Sequence, residues 1–278
     1  MPEDVYLLRE AVHNHARRAG RDILPYVGFA HHSVEEFEQN HSALLAMIRN
    51  ETNIEKNPFI GKVKGYTVET HANVIKMWHS ISAVWDTMKD YASSHNVTYE
   101  RVGMLRVDVV FITPIDIFQT AQARIVFNAT NRTIDTGNNT AVVPSFSKFP
   151  VNDRMFYGPY EAAELWSTGR FQRLNHFVYK LRQPLHSEKF LGFEIFPAIQ
   201  DLGFSIGEDH KICFLLARAD GSIWNDCGGL SNKAIVEKLV NMNCSTRYHW
   251  LAGKRSVLQC PDQFLDEKDW LTGVHRQI

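Results

Sequence analysis

Between Tyr99 and Phe118 the chain reads Y-E-R-V-G-M-L-R-V-D-V-V-F-I-T-P-I-D-I-F, an apolar run interrupted by two charges. Val102, Met104, Leu105, Val107, Val109, Val110, Phe111 and Ile112 suit a central strand covered on both faces. Arg106 and Asp108 lie two residues apart, so on one continuous strand they point to the same face. Desolvating them is costly unless they meet each other, a ligand or a metal. The expectations are therefore an internal Arg–Asp pair that fixes register, or a site for an anionic ligand at the strand's carboxyl end, where open α/β sheets place their crevices. Pro114 forces the chain out of the sheet and places Asp116 near that end.

A chain of 278 residues, 44% hydrophobic, has material for one large core or two lobes. Thirty basic against thirty-one acidic side chains give no basic excess, so DNA and RNA are not expected partners. No apolar run reaches the roughly 18 residues of a membrane span, and the first ten residues lack the order of a signal peptide. The expected location is the cytoplasm. Cys213, Cys227, Cys244 and Cys260 are spaced by 14, 17 and 16 and form no C-x-x-C. They read as free thiols in a reducing compartment, with a pair of disulfides as the alternative.

In chain order, 2–20 is a short helix candidate, and Ser33 with Glu36 makes a capping-box pattern before a helix to about Arg49. From Glu69 to Ser94, Val74, Met77, Trp78, Ile81, Val84, Trp85, Met88 and Tyr91 step by three and four, predicting a helix that packs on the central strand with both tryptophans in the core. Helix, short loop and buried strand make half of an α/β unit. Gln122–Phe127 is a second strand candidate, 128–140 a loop, and Ala141–Val143 resumes apolar character. Pro150 to Tyr160 reads as a turn feeding a helix. Pro159 suits the first helical turn, and Ala163, Trp166, Arg170, Leu174, Phe177, Val178 and Leu181 follow helical spacing. Asn152 and Asp153, just upstream, also fit plain turn chemistry. Ser187 and Glu188 open a helix that Pro197 splits and Gly203 ends. Asp220-Gly221 signals a hairpin, and 231–242 is a last amphipathic helix.

Four stretches carry a resemblance: G-M-L-R-V-D-V-V-F-I-T-P-I-D-I (Gly103 to Ile117), F-P-V-N-D-R-M-F-Y-G-P-Y-E-A-A (Phe149 to Ala163), H-S-E-K-F-L (His186 to Leu191) and C-F-L-L-A-R-A-D-G-S-I-W-N-D-C (Cys213 to Cys227). They resemble a glycosyltransferase-like family of algae, plants and large algal viruses, over about Lys64 to Cys227. The resemblance implies an α/β fold: a single GT-A-like domain with a central, mostly parallel sheet flanked by helices. Residues 1–145 would form its nucleotide-sugar-binding half and 146–278 its acceptor-binding half. The implied activity is sugar transfer from a nucleotide sugar, a UDP-sugar such as UDP-xylose, to a glycan or glycoprotein acceptor.

In GT-A enzymes a buried strand ends in Asp-x-Asp, which holds a divalent metal on the donor's diphosphate. Arg106-Val107-Asp108 stands there with Arg for the first Asp, so Asp108 is the candidate ligand for Mn2+ or Mg2+. Arg106 could itself neutralise phosphate, leaving metal dependence open. Asp153 resembles the general base of inverting enzymes, and a neighbouring cation such as Arg154 favours its ionised form. Glu188 is the second candidate base. Asp116, Asn152, Arg154 and Arg218 are candidate donor contacts, and Tyr157, Tyr160, His186 and Asp226 candidate acceptor contacts. A non-catalytic sugar- or nucleotide-binding module and a metal-independent GT-B enzyme are the alternatives, the chain being short for two full Rossmann lobes.

Overall fold

A computed structural model describes residues 34–50, 56–61, 66–106, 109–111, 117, 124–127, 139–146, 148–210, 212, 214–217, 222–225, 245–248 and 256–259. Asp108, Asp116, Arg218, Asp226, the four cysteines, the expected helices at 2–20 and 231–242 and most of the 128–140 loop lie outside them. The chain divides into two units, one of Ala30–Leu105 and Ile115–His210, the other of Met1–Phe29, Arg106–Pro114 and Lys211–Ile278. Residue 145, the expected divide between donor and acceptor halves, falls inside the first unit.

The first unit holds helices α1 (Val34–Asn40), α2 (Ser42–Ile48) and α3 (Val68–His95), then strand β1 (Arg101–Leu105). Strand β2 (Val109–Phe111) belongs to the second unit. The first unit resumes with β3 (Arg124–Phe127), β4 (Thr140–Pro144), β5 (Met155–Pro159) and helix α4 (Tyr160–Asn175). Helices α5 (Ser187–Phe190) and α6 (Phe196–Asp201) and strand β6 (Ser205–Asp209) complete it. Its sheet runs β1-β5-β4-β6-β3. The second unit's sheet runs β2-β7-β8-β10-β9, adding β7 (Phe214–Ala217), β8 (Ser222–Asn225), β9 (Ser245–Tyr248) and β10 (Ser256–Gln259). Strands β7 and β8 pair antiparallel, as the hairpin signal of the sequence implies; Asp220-Gly221 itself lies outside the described residues.

The α/β character holds, but the sheets are not mostly parallel. Among the described pairings only β4–β6 is parallel. The β1–β5, β4–β5 and β3–β6 pairings of the first sheet are antiparallel, as are those of the second. Parallel neighbours need a long crossover; here the helical stretch from α4 to α6 lies between β4 and β6 in the sequence.

The 99–118 segment also departs from expectation. It forms two strands in two different sheets, β1 ending at Leu105 and β2 starting at Val109. A single-strand alternation therefore does not fix Arg106 and Asp108 on one face. Strand β1 is an edge strand with Leu105 47% exposed, so its apolar run does not mark a doubly covered centre. The strands buried at every residue are β4, β5 and β6. The sequence reads β5 as part of a turn because polar and aromatic residues crowd together from Pro150 to Tyr160. Gly158 is where β5 and β4 approach most closely: a Cβ there would stand 2.7 Å from the Cβ of Ala141.

Helix α4 packs on β1 and β5, with Trp166 stacked on Phe156 at 5.3 Å. Helix α3 packs on α4 and α2, not on a strand as expected; its Trp78 and Trp85 are fully buried, and Trp85 meets Tyr160 of α4. Thr67 and Thr70 exchange a reciprocal capping box at its start, and Asn96 ends it in the left-handed region at φ 51°. The 187–201 helix contains a π turn at Leu191–Ile195, ending two residues before Pro197. Proline has no N–H for the carbonyl four residues back and its ring crowds that carbonyl, so a widened turn accommodates it. Gly203, at φ 91°, closes the helix as expected.

Candidate functional site

Three chain segments of the first unit supply the site: the 149–154 loop ahead of β5, the start of α5, and the start of α3. The loop is shaped by Asn152, fully buried, whose amide nitrogen donates to the Phe146 carbonyl at 2.8 Å and whose Oδ1 accepts from the Arg154 N–H at 2.9 Å. Asn152 thus holds the loop that presents Asp153. Packing of the π turn on the loop is equally close, a Cβ on Gly192 standing 2.8 Å from the Pro150 ring.

The Asp153 carboxylate acts electrostatically on Tyr66, Arg170 and His186, and Glu188 acts on Tyr66 as well. Burial, followed by these two carboxylates, pushes the Tyr66 hydroxyl up from its ordinary value. Three of the residues singled out in the sequence, Asp153, Glu188 and His186, therefore come together. His186 is 4% exposed and caps α5, its Nδ1 accepting from the Lys189 N–H at 3.4 Å, so in the neutral ring Nε2 carries the proton. Its ring stacks on Tyr66 at 5.0 Å and 6°. Burial lowers the His186 pKa, with Lys189 and His71 adding to the lowering and Asp153 opposing it.

Arg170 and His71 join the cluster without a sequence signal. Arg170 fits the helical spacing of α4 and reads there as one position of a stripe, but it is 1% exposed. Its Nε donates to the Trp166 carbonyl at 3.0 Å and its guanidinium lies 4.3 Å from the Trp166 ring centroid, while Nη1 and Nη2 are buried with no hydrogen-bond partner. Burial pulls its pKa down to about 9, with the Asp153 charge pulling the other way. His71, fully buried, donates from Nδ1 to the Leu185 carbonyl at 2.8 Å, which leaves Nε2 as the unprotonated nitrogen of the neutral ring, buried and unpartnered. Burial lowers its pKa as well, against the opposing pull of the Leu185 carbonyl.

The other sequence candidates stand elsewhere. Tyr157 is 1% exposed in the middle of β5, opposite Gly103 on β1, with its hydroxyl within electrostatic reach of Arg101. Tyr160 lies past the far end of β5, a strand roughly 16 Å long, against Trp85 and beside Lys89 and Glu164. Arg154 is half-buried beside Asp153, and Arg106 falls in the second unit. The buried charge of the β1 region is Arg101, which donates to the carbonyls of Ile117 at 2.7 Å and Thr140 at 2.8 Å. Among the described residues no three or more His, Cys, Asp or Glu side chains are grouped to hold a metal ion. No helix among them is long and apolar enough to cross a membrane.

Chemically, the cluster offers two carboxylates as proton acceptors, a neutral imidazole with an open nitrogen, a buried guanidinium and an aromatic surface. No protein-family model, curated protein or solved structure matches the chain.

Proposed function

We propose that the protein is a glycosyltransferase that moves a sugar from a nucleotide-sugar donor, a UDP-sugar, to a hydroxyl of a glycan or glycoprotein acceptor with inversion, on a GT-A-like fold. The observation that carries this reading is the convergence of Asp153, Glu188 and His186, drawn from two of the stretches that resemble the glycosyltransferase-like family, on one cluster in the first unit. Asp153 is the general base. Its carboxylate takes the proton of the acceptor hydroxyl as that oxygen bonds to the anomeric carbon, while the bond from that carbon to the diphosphate breaks and the nucleotide leaves with the electron pair. Glu188 orients the acceptor. The step is carried by residues of the first unit; Arg106 and Asp108, the sequence's candidates for the donor diphosphate and a divalent metal, belong to the second unit.

The test is Asp153→Asn, which keeps size and hydrogen-bonding reach and loses basicity. Turnover falls by roughly 100-fold or more while UDP-sugar affinity stays within twofold or so, since general-base contributions are typically 10²- to 10⁴-fold. A folded variant with wild-type turnover removes Asp153 from the chemistry. A chain that neither hydrolyses nor transfers any UDP-sugar overturns the transferase reading itself.

A further inference from the structure

Phe149 is 56% exposed, although it sits in the loop that presents Asp153. Its ring lies 5.6 Å from that of His186, which stacks in turn on Tyr66, and the Lys189 ammonium stands 5.3 Å from its centroid. An exposed phenyl ring next to an imidazole and an ammonium, in the same cluster as Asp153 and Glu188, is an apolar ledge with a polar margin. We infer that this ledge, Phe149 backed by His186 and Tyr66 and flanked by Asp153, Glu188 and Lys189, binds a neutral pyranoside ring by its C–H face.

The chemistry selects that class. A pyranose has one apolar face of C–H groups and an edge of hydroxyls that both donate and accept. Asp153 and Glu188 accept from such hydroxyls, and the Lys189 ammonium donates to them. Two carboxylates next to the ring disfavour a phosphate or another anion on the ledge, which separates this subsite from any diphosphate contact. Arg170 supplies a second pointer: a buried guanidinium with two unpartnered nitrogens, packed on Trp166, lies within electrostatic reach of Asp153. In the transferase reading, on which the role as acceptor subsite rests, the bound ring is the acceptor and its hydroxyl faces Asp153. The binding itself does not depend on that reading.

Saturation-transfer NMR on the full chain with methyl glycosides of xylose, glucose, galactose and mannose tests it without any donor. At least one glycoside receives saturation, strongest on the protons of one ring face. Phe149→Ala weakens that glycoside roughly tenfold, Phe149→Trp restores it, and neither change moves the urea midpoint by much, because the ring is exposed. Wild-type protein that binds none of the glycosides at millimolar concentration overturns the inference, and so does binding that Phe149→Ala leaves unchanged. If the chain transfers sugar yet Phe149→Ala alters neither glycoside affinity nor acceptor KM, the ledge is wrong and the transferase stands. If glycosides bind through Phe149 but no UDP-sugar is turned over, the ledge stands and the transferase reading fails.

Discussion

His71 combines full burial, one ring nitrogen tied to a carbonyl and the other without a partner, and that combination makes it pH-sensitive. Its pKa in the folded chain lies below the ordinary 6.5, chiefly through desolvation, and those of His41 and His186 are lowered for the same first reason. The unfolded chain therefore binds more protons than the folded one in the window beginning near 6.5 and extending downward. Stability is complete above that window and is lost as pH falls through it. Replacing His71 by Gln, which keeps a donor for the Leu185 carbonyl, removes one of these groups. Between about pH 7 and pH 5 the urea midpoint then falls less steeply than in the wild type. Equal slopes in the two proteins would remove His71 from the linkage. At this scale the sequence is a partial guide: Asp153, Glu188 and His186 stand out because they occupy turn and helix-start positions. Tyr66, His71, Phe149 and Arg170 do not, since nothing in a local pattern says that the start of α3 lies against the start of α5.

Among the elements, α3 is legible because its stripe recurs over 28 residues, long enough for periodicity to outweigh its polar positions. Strand β5 is not, because five residues ending in Gly-Pro offer no period. Its glycine answers to its neighbour, and a matched pair of substitutions tests that. Gly158→Ala drives a methyl to 2.7 Å from the Ala141 Cβ and 3.0 Å from its Cα, a short side chain and backbone that have no flexible end to move aside. The strands must part, at a cost of about 1 to 3 kcal/mol. Gly103→Ala, on the edge strand β1, meets only Ile117 and Tyr157 at 3.7 Å and 3.9 Å, ordinary contact distances. There the gain in backbone entropy, about 0.5 to 1 kcal/mol, is opposed by nothing, so the change is neutral or stabilising. Denaturant titration of both variants checks the contrast, and equal destabilisation would mean that β4 and β5 are not so closely apposed.

For the whole molecule, every described strand pairing closes within one unit: β1-β5-β4-β6-β3 in the first, β2-β7-β8-β10-β9 in the second. The sequence suggests otherwise, because the 99–118 run looks like one strand, and an apolar segment does not reveal that it serves two sheets with a break between. The chain leaves the first unit at 105, returns at 115 and leaves again at 210. The first unit also contains Tyr66, His71, Phe149, Asp153, Arg170, His186, Glu188 and Lys189, the complete cluster. A chain of residues 30–210 with 106–114 replaced by a Gly-Ser linker therefore retains both the five-stranded sheet and the glycoside ledge. The linker itself is a small perturbation, since doubling a loop costs only about 0.6 kcal/mol. The fragment should unfold cooperatively in urea, keep the near-ultraviolet signal of the buried Trp78, Trp85 and Trp166, and bind the same glycoside as the full chain. Broad, non-cooperative unfolding with that signal lost would show that the first sheet needs the second unit to stand. A cooperative fragment that no longer binds glycoside would instead place an indispensable part of the binding surface in the residues removed.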